Sequence, residues 1–82
     1  MLLPTKHLSP ARSLLGVGAS ILSILTQDSS PGELWNHYRE AARIGRVGDI
    51  SYNWFLLALS FLYATSQIDI TGGLLVRTNN ND

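Results

Sequence analysis

The 82-residue sequence contains no cysteine, which excludes disulfide-stapled scaffolds, thiol catalysis and cysteine-based zinc sites together. Charge is scarce as well: Asp, Glu, Lys and Arg make up 15% of the residues, against about 25% in an average soluble domain. Six cations cancel six anions, so no global field draws the chain onto DNA, and non-specific nucleic-acid binding is not its default behaviour. Long hydrophobic runs are missing too. The apolar stretches at 14–25 and 54–64 fall short of the about 20 residues that cross a bilayer. A secretory leader is disfavoured, because its cleavage would leave roughly fifty residues with no cysteine to staple them. A cytoplasmic protein with no membrane partner is expected.

What the sequence does have is apolar residues, 45% of the total, which excludes a disordered linker. A single domain this small buries only about 60% of the surface its unfolded chain exposes. Low charge, high apolar content and a thin stability margin together point to a subunit whose surface is covered by partners.

Residues 1–9 contain Pro4 and read as an extended arm rather than a helix. Ser9 and Pro10 supply an N-cap and a first-turn proline for a helix running to about Leu25. At 100° per residue, Leu14, Leu15, Val17, Ile21, Leu22, Ile24 and Leu25 share one half of that helix, and Gly16, Ala19, Ser20 and Ser23 share the other. Ser30-Pro31-Gly32-Glu33 has the spacing of a capping box with proline at the first helical position, which starts a second helix ending near Ile44. Gly45 and Gly48 break the connector after it, and Ile50 is expected to add a residue or two of strand. Ser51 caps a third helix from Tyr52 to about Thr65, apolar nearly all round apart from Asn53 and Ser60, and therefore expected to be buried on most sides, either at the centre of its own domain or between the domain and a partner.

The period then changes. Between Ile68 and Arg77 the alternation predicts a β-hairpin, with Ile68, Ile70, Leu74 and Val76 on one face if Thr71-Gly72-Gly73 forms the loop. Residues 79–82 read as a disordered polar tail. Three helices followed by a hairpin give the expected fold class: mainly α with a C-terminal hairpin, a winged-helix-like single domain over residues 10–78, with the hairpin as wing and Ile50 as its third strand.

No catalytic constellation emerges. Glu33, His37 and Glu40 fall within two turns of one helix, an incomplete metal shell that reads more simply as a solvated face of salt-bridging pairs. The serines have no histidine and carboxylate pattern and no G-x-S-x-G elbow. Gly16-Val17-Gly18 sits inside a helical run and lacks a Walker lysine. No catalytic residue, cofactor or metal is therefore expected. The winged helix commonly reads DNA with its third helix, but here that helix carries no Lys or Arg and one Asn. It lacks both phosphate contacts and base readout. The alternative of a small DNA-binding regulator rests only on Arg39, Arg43 and Arg46, spaced i, i+4, i+7; that row serves equally as a solvated face or as a surface for an acidic protein. Three groups are thus candidate protein contacts: the arm residues Leu2, Leu3, His7 and Leu8, the small helical face of Gly16, Ala19, Ser20 and Ser23, and the arginine row.

The stretch Leu2-Leu3-Pro4-Thr5-Lys6-His7-Leu8-Ser9-Pro10-Ala11-Arg12-Ser13-Leu14-Leu15-Gly16-Val17-Gly18-Ala19, together with Ile50-Ser51-Tyr52-Asn53-Trp54-Phe55-Leu56-Leu57-Ala58-Leu59, resembles middle component 6 of bacterial ABC-three-component systems. The resemblance covers nearly the whole chain. It implies an accessory subunit of a Lamassu-type defence system against phages or plasmids. The partners it implies are an SMC-like ABC ATPase and an effector such as a nuclease, with DNA reached only through the complex. It supplies no catalytic residue.

Overall fold

The computed structural model describes residues 10–78, with side chains from Ser13 onward. The expected arm, its Ser9 cap and the tail at 79–82 lie outside the described residues. Three helices, α1 (Pro10–Ile24), α2 (Pro31–Arg43) and α3 (Tyr52–Ala64), precede an antiparallel hairpin of β1 (Ile68–Thr71) and β2 (Leu74–Arg77).

Serines start the second and third helices as their spacing predicts. The Ser30 hydroxyl accepts the Glu33 N–H at 3.2 Å while the Glu33 carboxylate accepts the Ser30 N–H at 3.0 Å, a complete capping box. Ser51 accepts the Trp54 N–H at 3.2 Å. Both helices end in a Schellman motif. At α2, Gly45 (φ 84°) turns the chain, and Arg46 and Gly45 N–H groups reach the Ala41 and Ala42 carbonyls at 2.9 and 3.1 Å. At α3 the left-handed position is filled by Ser66 (φ 64°), with Gln67 and Ser66 bonding to Leu62 and Tyr63 at 2.8 and 3.0 Å.

The core is built from one stripe of each helix. Val17 and Ile21 on α1, with Leu25 just past its end, meet Leu34 and Tyr38 on α2 and Phe55, Ala58, Leu59 and Leu62 on α3, with Ile68 and Leu75 closing the hairpin side. Trp35 joins α2 to α3, its ring 4.8 Å from Phe55 and 6.3 Å from Tyr38. At Gly18 α1 approaches α3 closely: a Cβ there would lie 3.1 Å from the Leu62 Cδ2. The stripe is narrower than an even division of the helix suggests. Leu15 is 59% exposed, whereas Gly18 is buried.

Two expectations about the hairpin are corrected. The loop is two residues, Gly72-Gly73, both at positive φ (59° and 81°), so Thr71 pairs with Leu74 and Ile70 with Leu75. A primed two-residue turn matches strand twist better than a three-residue loop, and shortening the loop by one residue moves β2 to its other face. Leu75 is therefore buried beside Ile68, while Leu74 is exposed. The third strand position is not Ile50, which is half-buried in the α2–α3 connector and unpaired. It is Ser29, between α1 and α2, which exchanges two backbone hydrogen bonds with Leu75 at 2.7 and 3.2 Å. The connector around Ile50 is instead pinned to the helices, because the Tyr38 hydroxyl donates to the Gly48 carbonyl at 2.8 Å. The resulting order Ser29, β2, β1 completes a winged-helix-like arrangement.

A third outcome concerns α3. Its own domain does not bury it on most sides: among the described residues α1, α2 and the hairpin base cover one part of it, and Leu56, Leu57 and Tyr63 stay exposed, which leaves the expected alternative of cover by a partner.

Candidate interaction surfaces

α1 presents most of its small face to solvent. Gly16, Ala19 and Ser23 are exposed, and nothing lies within 4 Å of where a Gly16 Cβ would stand. The Ser23 hydroxyl donates to the Ser20 carbonyl at 2.6 Å, so it is satisfied within the helix. Ser20 differs from its neighbours. It is half-buried at the edge of the core, near enough to the Tyr38 phenol to lower its pKa in part. The structure thus brings three of the four small residues onto one open surface and turns the fourth inward.

The arginine row divides. Arg39 and Arg43 border a surface groove of about 410 Å³ that also takes in Asn36, Glu40 and Asp49. Arg43 forms an ion pair with Glu40 one turn earlier, and its guanidinium holds the Glu40 carboxyl below the usual carboxylate range. Both groups are largely exposed, so the pair contributes little to stability. Arg46 follows the left-handed Gly45 and borders a different depression, about 260 Å³, shared with His37, Ile44, Ser23 and Thr26. As expected from a helix ending near Ile44, Arg46 lies beyond α2 and does not continue its helical face. Arg46 instead comes close to the C-terminal end of the small face of α1. Leu2, Leu3, His7 and Leu8 lie outside the described residues.

The carboxylates of α2 do not converge on a metal. Glu33 is engaged in the capping box and Glu40 with Arg43, and among the described residues no group of three His, Asp or Glu side chains could hold an ion. Among the same residues, no helix is long and apolar enough to cross a membrane.

Sequence reasoning missed two features. Arg77 donates to the Leu22 carbonyl at 3.3 Å, so a hairpin cation satisfies one of the orphan carbonyls at the end of α1; a contact between residues so far apart in the chain leaves no local signature. The outer stripe of α3 was partly visible. Asn53 and Ser60 mark it in the sequence, but the exposure of Leu56, Leu57 and Tyr63 beside them is a property of the packing.

The family model of the ABC-three component (ABC-3C) system Middle Component 6 matches residues 3–79. The chain belongs to this family. It is therefore a middle component of an ABC-three-component, defence-type system, and the winged-helix-like fold is the form that this middle component takes. No curated protein and no solved structure matches the chain.

Proposed function

We propose that this middle component is a non-catalytic accessory subunit of a Lamassu-type system that bridges an SMC-like ABC ATPase and an effector such as a nuclease, and that it helps to hold the effector in check. The observation that carries this reading is the outer surface of α3. In the position from which winged helices read DNA, it exposes Asn53, Leu56, Leu57, Ser60 and Tyr63 and no cation. Such a surface offers neither phosphate attraction nor base readout, and it fits a protein partner instead. The small face of α1, with Arg46 at its end, and the groove bordered by Arg39 and Arg43 provide contacts of a second kind: close helix approach beside a cationic rim.

Co-expression of the tagged chain with the co-encoded ATPase and effector tests the proposal. Both partners should co-purify with it, and omitting the chain should separate them and release effector activity in cells. A gel shift with the isolated chain should give no sequence-specific complex. Partners that assemble fully without the chain would refute the bridging role, and a specific dissociation constant near 10⁻⁸ M, the scale of true DNA readers, would favour a regulator instead.

A further inference from the structure

The backbone of the wing fixes which of its groups face outward. Ser29 and Leu75 exchange both of their hydrogen bonds, so the N–H and carbonyl of Leu75 point away from β1. Ile70, opposite Leu75 in the hairpin, therefore makes no ladder bond to β2, and its own N–H and carbonyl point out from the sheet. Ile68, two residues earlier, is oriented the same way. The Thr78 N–H agrees with this alternation, since it reaches the Gln67 carbonyl at 3.1 Å.

The two borders of this sheet are treated differently. Beyond Ser29, α2 takes up the next backbone groups: the Ser30 N–H donates to the Glu33 carboxylate at 3.0 Å, and the Ser30 carbonyl accepts the Leu34 N–H at 2.9 Å. Among the described residues no element covers β1 in that way. A free strand edge is a template for a further strand. Here the Ile70 N–H donates to the Asp69 carboxylate at 2.8 Å, so one of the two outward donors of β1 is already taken.

We propose that Asp69 guards the free edge of the wing and prevents β1 from pairing with β1 of a second copy. It acts twice. A strand added to β1 must first displace the carboxylate from the Ile70 N–H. In addition, an antiparallel pairing that uses the outward groups of both residues sets Ile68 opposite Ile70 of the second copy, which brings the two copies of Asp69 directly face to face. Like charges so placed are destabilising. The inference does not depend on the bridging role, since it concerns the chain by itself.

Amide hydrogen exchange of the full chain, followed by NMR, tests the first effect. Relative to the rates of the unstructured sequence, the Ile70 amide should exchange about tenfold faster in Asp69→Ala than in wild type. Asp69→Asn, which keeps an acceptor and loses the charge, should retain most of the protection. The Leu75 amide, bonded to Ser29, should be unaltered in both variants. Sedimentation equilibrium up to about 1 mM, where weak pairing becomes visible, tests the outcome. Wild type should stay monomeric and Asp69→Ala should dimerise. Adding Ile70→Pro to Asp69→Ala should restore the monomer, because proline removes the freed N–H without breaking a ladder bond. Equal Ile70 exchange in wild type and Asp69→Ala, Asp69→Asn exchanging as fast as Asp69→Ala, a Leu75 amide that loses protection with Ile70, a monomeric Asp69→Ala, or a dimer that survives Ile70→Pro would each overturn the proposal.

Discussion

Removing one oxygen atom from Tyr38 tests the hydrogen bond that ties the α2–α3 connector to α2. The Tyr38 ring is 2% exposed and packs against Trp35 and Phe55, with centroids 6.3 and 5.9 Å away, and its hydroxyl donates to the Gly48 carbonyl at 2.8 Å. Tyr38→Phe keeps the ring and its packing and deletes that donor, together with the oxygen that Ser20 stands beside. Gly48 is exposed, so water takes over its carbonyl, and the cost stays near the usual net value of about 1 kcal/mol. In a domain of this size that lowers the Tm by about 4–8 °C.

A pH dependence accompanies the loss. Burial raises the Tyr38 pKa above its ordinary value of 10.0, the neighbouring Ser20 hydroxyl lowers it in part, and the negative charge of Asp49 raises it. Above that ordinary value the unfolded chain loses the proton while the folded chain retains it, so the stabilising contribution, complete below pH 10, falls as pH rises toward the folded pKa. Tyr38→Phe lacks this titration. The stability gap between wild type and variant should therefore be constant from pH 6 to 9 and narrow by about pH 10.5, as measured by urea denaturation followed by circular dichroism. An unchanged Tm at neutral pH would refute the hydrogen-bond assignment, and a gap that does not narrow at alkaline pH would refute the assignment of the titration.

Gly18→Val should destabilise the domain by about 1–3 kcal/mol through overpacking against Leu62, with thermal melting as the readout; a neutral result would show that α1 and α3 are not held in close contact. Ser66→Gly should raise stability by about 1 kcal/mol, because glycine adopts the left-handed conformation at φ 64° without a Cβ penalty, and a lowered Tm would contradict the assigned backbone. Ala19→Trp, on the open face of α1, should weaken co-purification with the ATPase or effector by roughly five- to hundredfold, equivalent to about 1–3 kcal/mol of misfit, while leaving the Tm within a few degrees of wild type. Unaltered assembly would return that face to solvent.

Local chemistry was legible in the sequence, and packing was not. Ser30 with Glu33, Ser51 and Gly45 each act through neighbours a few residues away, and each sits where its spacing predicts. The hairpin shows how little it takes to fail. Treating Thr71 as loop rather than strand assigned Leu74 and Val76 to the wrong face, because strand facing alternates with every residue. Ser29 offered no signal at all, since one backbone bridge needs no side-chain pattern. In α3 the difficulty is of another kind: a helix apolar all round gives no preference for which side the rest of the chain covers, and the covered side is the one where Phe55, Ala58, Leu59 and Leu62 meet α1, α2 and the hairpin. Among the candidate contacts, the open positions of α1 followed from periodicity. Ser20 departed from it because it stands beside Tyr38, whereas Arg46 lies past a helix end that the sequence already predicts.

The bridge between Ser29 and Leu75 also bears on how the wing opens. A hairpin of two four-residue strands is marginal by itself in water. This one is held by the α3 side of the core through Ile68 and Leu75, and by residues far back in the chain: the backbone of Ser29 and, through Arg77, the Leu22 carbonyl. The wing is therefore expected to open before the helices do, which hydrogen exchange of the Leu75 amide against amides inside α2 would show. Any subunit that binds only the closed wing stabilises the whole chain by mass action, which makes the resistance of this small protein to unfolding a function of how much of its complex has assembled around it.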